Sequence, residues 1–164
     1  MPNLTVTRAK PNPAGRDRAN GRSLPAQLLG EWVDITNTAT TAISLGGSGL
    51  THREYDAQGQ LKQESTVYWQ GSARQVLQPG QVLRVHTGRE SDRAAMSYQD
   101  SVGAHYHAFA ESYNFVLNNA QGDEPSIWAK DRNDRWSIRI DGAWYSPYPP
   151  EGIALRRMGD RLVP

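Results

Sequence analysis

The sequence contains no cysteine, which excludes a disulfide framework, a thiolate metal site and a cysteine nucleophile. No apolar run approaches the roughly 20 residues that a membrane-crossing helix needs. The first residues, Met1-Pro2-Asn3-Leu4-Thr5-Val6-Thr7-Arg8, lack the apolar stretch of an export signal. The expectation is a chain with no membrane span, located in the cytoplasm or inside an assembled particle. Charge of one sign is scarce as well: 18 Lys and Arg against 17 Asp and Glu leave a net charge of +1. The whole chain therefore does not advertise an acidic partner. Only 37% of its 164 residues are hydrophobic, which suits one domain with one wet face per sheet better than a thick multilayer core.

What is present is strand grammar. In Glu31-Trp32-Val33-Asp34-Ile35-Thr36-Asn37, Val33 and Ile35 share one face while Trp32, Asp34 and Thr36 share the other. Asp34 and Glu31 read as polar groups of an edge and a turn. Further strands are expected over 4–9, 42–45, 50–55, 65–70, 82–86, 113–117, 126–130 and 136–140. Gln78-Pro79-Gly80-Gln81 predicts a type II turn, with proline second and glycine third. Asp141-Gly142 is a hairpin signal, and 147–152 reads as extended or polyproline-like. The polar stretch 90–112 breaks the pattern and reads as a long loop with a short helical turn. Many short strands, frequent turns and almost no 3.6-residue period predict one all-β sandwich domain over 1–164. Its core spans about 4–142, and irregular arms at both ends include a tail over about 144–164.

Candidates for chemistry are few. His105 and His107 would point the same way on a strand, a spacing open to two metal ligands, with Glu111 or Asp100 near in sequence. Gly46-Gly47-Ser48-Gly49-Leu50 departs from a nucleophile elbow at its last place, and no phosphate loop occurs. Asp131, Asn133 and Asp134 form only a fragment of a calcium loop. No catalytic set and no cofactor are assigned. Aromatic residues (Trp32, Tyr68, Trp69, Trp128, Trp136, Trp144, Tyr145) read as sandwich packing. Positive charge concentrates near the start, where Arg8, Lys10, Arg16, Arg18 and Arg22 face Asp17 alone.

Four motifs stand in order: Lys10-Pro11-Asn12-Pro13-Ala14-Gly15-Arg16-Asp17; the 31–37 strand; Leu77-Gln78-Pro79-Gly80-Gln81 with Val85-His86-Thr87-Gly88; and Asn118-Asn119 with Gly122-Asp123. Together they resemble the bacterial members of the lamin tail domain family over roughly residues 4–142. Leu117 stands where that family has a tryptophan, and two residues, Ala120 and Gln121, separate the asparagines from Gly-Asp. The resemblance implies an immunoglobulin-like antiparallel β-sandwich and a non-enzymatic interaction module. The expected form is a structural subunit or decoration of a larger assembly such as a filament or phage virion. The expected partner contacts are Arg16, Arg18, Arg22, Tyr145, Tyr148, Arg156 and Arg157, on arms that order against a protein partner. Removing 1–22 or 147–164 is expected to leave a folded core. Two alternatives stay open: nucleic-acid association through the basic ends, and a metal-dependent hydrolase using His105 and His107.

Overall fold

The computed structural model of the chain describes residues 3–164. In chain order the strands are β1 (Leu4–Lys10), β2 (Arg18–Ala19), β3 (Arg22–Ser23), β4 (Trp32–Asn37), β5 (Ile43–Ser44), β6 (Ser48–Tyr55) and β7 (Leu61–Gln70). They continue with β8 (Val76–Leu77), β9 (Val82–His86), β10 (Tyr106–Phe109), β11 (Ser126–Lys130), β12 (Trp136–Gly142), β13 (Leu155–Met158) and β14 (Arg161–Val163). Helix α1 (Pro25–Gly30) precedes β4; a 3-10 turn (Glu90–Ala95) and helix α2 (Tyr98–Ser101) precede β10. A six-stranded sheet has the order β10-β9-β4-β1-β13-β14, and a four-stranded sheet has β12-β11-β6-β7. The fold is all-β, as the strand pattern predicts, and all pairings in the two large sheets are antiparallel except β9 with β10.

The core lies between the two sheets. Val6, Val33, Ile35, Leu83 and Val85 meet Leu50, Trp69 and Ile127 there. Alternation along β4 and β9 accounts for the inward set. Strand β1 needs one irregularity. A bulge falls between Val6 and Arg8, so that Val6 faces Ile35 and Arg8 faces Asp34, with Thr7 the extra residue. Without it, Arg8 and Lys10 would turn inward; with it, Ala9 is buried and both cations join the outer face. Thr7 spends its hydroxyl on Thr36, 2.8 Å away.

Turn chemistry appears where the sequence places it. Gln81 N–H donates to the Gln78 carbonyl at 3.0 Å and Gly80 has φ +79°, a conformation that suits glycine. Asn37 ties this turn to the Thr-rich one, its amide donating to the carbonyls of Thr41 and Leu77 at 2.8 Å each. Asp123 plays the same part at the other landmark. Its Oδ2 accepts from the Asn118 backbone and side chain, and its Oδ1 from the N–H groups of Arg53 and Glu124. The Asn-Asn/Gly-Asp motif is thus a fold corner.

Several expectations are corrected. The strand expected over 4–9 forms β1, an inner strand of the six-stranded sheet, but the tail is not an irregular arm, since it supplies β13 and β14 beside β1. Deleting 1–22 would take out β1 from between β4 and β13, which runs against the expectation that this truncation leaves a folded core. Residues 113–117 form no strand, because the Glu31 carboxylate takes the N–H groups of Val116 and Leu117 that a ladder would use. Asp141-Gly142 makes no hairpin turn. Both residues pair with β11, and Asp141 instead receives Val6 N–H at 2.8 Å and the Arg157 guanidinium at 2.9 and 3.2 Å. That bridge caps the part of β1 which β13 leaves uncovered. The stretch 90–112 holds the 3-10 turn, α2 and β10; α2 lies over the outer face of the six-stranded sheet and β10 forms the edge of that sheet.

Candidate functional site

That outer face carries two cross-strand rows, Arg8–Asp34–Arg84–His107 and Lys10–Trp32–His86–Phe109. In the first, Arg84 grips Asp34 with two bonds, Nε to Oδ1 at 2.7 Å and Nη2 to Oδ2 at 2.8 Å, both residues buried. Such a fork is the strong geometry for a guanidinium and a carboxylate. Burial raises the Asp34 carboxyl above its ordinary value, against the pull of Arg84. The Arg84 guanidinium also lies 3.6 Å from the Trp32 ring centre, with Arg8 at 5.4 Å. Helix α2 closes the face. Asp100 accepts from Lys10 Nζ at 2.7 Å, Trp32 Nε1 at 2.9 Å and Ser97 Oγ at 2.7 Å. The carbonyls of Asp100 and Val102 take the remaining Arg84 nitrogen. Burial alone would lift Asp100; those hydrogen bonds outweigh it and hold the carboxyl low.

His86 Nδ1 lies 2.6 Å from the Leu29 carbonyl, which can only accept, so Nδ1 carries the proton. In the neutral ring Nε2 is then an acceptor, and His107 Nδ1, 2.8 Å away, donates to it. Burial pushes His86 down to about 4, and burial with the charges of Arg84 and Arg93 lowers His107. The charges of Asp34, Arg84, Asp100 and Lys10 are engaged from inside the protein, while Arg8 lies over the Trp32 ring. Asp34 belongs to the buried centre of this layer, not to an edge.

Glu31 is corrected in the same way, being fully buried. Its Oε1 accepts from Thr87 Oγ1 at 2.6 Å and from the N–H groups of Val116 and Leu117 at 2.8 and 3.2 Å. Its Oε2 has no partner among the described residues. Burial raises this carboxyl to about 7, with the three donors opposing. One oxygen therefore fastens the end of β9 to the segment that leads into the Asn-Asn corner.

The expected metal ligands separate. His105 Nδ1 accepts from Val82 N–H at 3.0 Å, while His107 turns to His86. Among the described residues no group of three or more His, Asp or Glu could hold a metal ion. Of the expected partner contacts, Tyr145 is buried, its hydroxyl donating to the Asn118 carbonyl, and Arg157 is held by Asp141 and the Val6 carbonyl. Neither presents a free surface. Arg16, Arg18, Arg22 and Arg156 are exposed, and Tyr148 is 79% exposed.

Arg22 is the one expected contact that borders an open cavity of about 590 Å³. Ala19, Gly21, Arg22 and Ser23 of the β2–β3 ribbon form one wall; Arg89, Asp92, Tyr113 and Asn114 form the other; Leu24, Pro25 and Leu28 form the floor. Pro25 opens α1 at a position where its missing N–H costs nothing. Arg89 Nε and Nη2 meet Asp92 at 3.0 and 2.8 Å, and its Nη1 donates to the Tyr113 hydroxyl at 2.9 Å. The guanidinium also sits 4.4 Å from the Tyr113 ring centre. Tyr113 is 68% exposed and nevertheless oriented. Sequence reasoning missed Arg89 and Tyr113. They lie 24 residues apart, and the available signal was an arginine just after Val85-His86-Thr87-Gly88 and a lone aromatic in polar surroundings.

No protein-family model matches the chain, and no curated protein matches its sequence.

Proposed function

We propose that this protein is a non-enzymatic, lamin-tail-like immunoglobulin sandwich whose work is attachment to another protein, as a subunit or decoration of a larger assembly. The observation that carries the reading is the groove between the β2–β3 ribbon and Tyr113. It combines an apolar floor, an oriented aromatic ring and an exposed arginine, the residue types in which binding energy concentrates. Arg22 makes no ion pair among the described residues, so its charge is free for a partner. The test is capture of partners from the native source by wild type and by Tyr113→Ala, with mass spectrometry of the bound proteins. A stoichiometric protein partner should be recovered by wild type and lost with the variant, while the thermal midpoint stays put. Equal recovery by both would overturn the reading.

A further inference from the structure

We infer that the groove receives an extended peptide segment in which an aspartate or glutamate adjoins an apolar residue. The inference rests on the attachment reading and names its partner chemistry. The two arginines that border the groove differ in state. Arg89 is spent, neutralised by Asp92 and bonded to the Tyr113 hydroxyl, so it sets the ring in place instead of seeking an anion. Arg22 is exposed and makes no ion pair among the described residues. The groove therefore carries one unmet positive charge, with Arg16 and Arg18 exposed just upstream against Asp17.

An exposed guanidinium with no ion pair among the described residues suits a carboxylate, which accepts from its N–H groups. The apolar lining of Leu24, Pro25 and Leu28 suits a neighbouring apolar side chain, with the Tyr113 ring on the same cavity. A volume of about 590 Å³ falls within the range of pockets that enclose ligands. A nucleic-acid strand fits less well. Stacking platforms use successive rings, whereas this groove has Tyr113 as its one aromatic ring among the described residues.

The test uses two pools of capped, fluorescent octapeptides with random flanks, one with Glu-Leu fixed at the centre and one with Gln-Leu. A decathymidine strand is measured beside them on the full chain. The charge-assisted contact should make wild type bind the Glu pool about tenfold more tightly than the Gln pool. Arg22→Gln should remove the preference and Arg22→Glu should invert it. Tyr113→Ala should weaken both pools alike. Equal binding of the two pools, a preference unchanged by Arg22→Glu, or tighter binding of decathymidine than of either pool would each overturn the inference. If Tyr113→Ala abolishes capture of a protein partner while Arg22→Glu leaves capture and preference intact, the attachment reading stands and the acidic-peptide inference falls.

Discussion

The outer face of the six-stranded sheet and the groove beside the β2–β3 ribbon hold similar side chains in opposite states. On the sheet, Arg84 with Asp34, and Asp100 with Trp32 and Lys10, bond beneath α2, and the Arg84 guanidinium over Trp32 is fixed. In the groove, Arg89, Asp92 and Tyr113 repeat the combination of arginine, carboxylate and aromatic ring at the surface, while Arg22 makes no ion pair among the described residues. The difference teaches that residue type alone does not mark a binding surface. What marks it is hydrogen-bonding and charge capacity left unspent once the fold is complete.

The comparison breaks most completely if its supporting strand is removed. Deleting residues 1–22 takes away β1, which lies between β4 and β13, and the expected outcome is no cooperative unfolding transition by circular dichroism. A cooperative transition in the truncated chain would restore the expectation of dispensable arms. Next in size is Arg84→Ala, which strands Asp34 as a buried unpaired carboxylate and should cost about 3–5 kcal/mol in urea unfolding. A loss below about 1 kcal/mol would mean that water reaches the ladder.

A third experiment sharpens the contrast between two buried titrating groups. Glu31 is raised from 4.5 to about 7, so between those values the folded state holds a proton that the unfolded state has lost. Its contribution is fully present below pH 4.5 and is lost as pH rises through 7. His86 is lowered from 6.5 to about 4; its contribution is fully present above pH 6.5 and is lost as pH falls toward 4. The two slopes oppose each other between pH 4.5 and 6.5, so their joint effect is nearly flat there. Glu31→Gln removes one side. Its stability relative to wild type should rise by roughly 1.4 kcal/mol per pH unit as pH increases across that window. A constant difference would show that Glu31 does not titrate there. The smallest effect belongs to the groove: Arg22→Glu should change stability by no more than about 0.5 kcal/mol, as expected for an exposed side chain with no partner. A larger loss would mean that Arg22 serves the fold.

Much of the scaffold was legible because turn chemistry and side-chain alternation are local. Pro79-Gly80 and Asn37 marked real turns, and Val33 with Ile35 marked a real inner face. The site was less legible. Arg22 was picked out by charge, but its neighbours Arg89 and Tyr113 come together only through long-range folding. Tyr145 and Arg157 were read as contacts because an aromatic ring and an arginine look alike in sequence whether they are spent or free.

Local preferences of adjacent residues carried the all-β class, the central strands β1, β4, β6, β9 and β11 and the turn at Pro79-Gly80. Tertiary structure alone decided that the Thr7 bulge turns Arg8 outward, that α2 covers Trp32 and Arg84, and that the tail completes the sheet beside β1. A period of two assigns a side chain to a face. Only the packing of distant segments decides what, if anything, lies against that face.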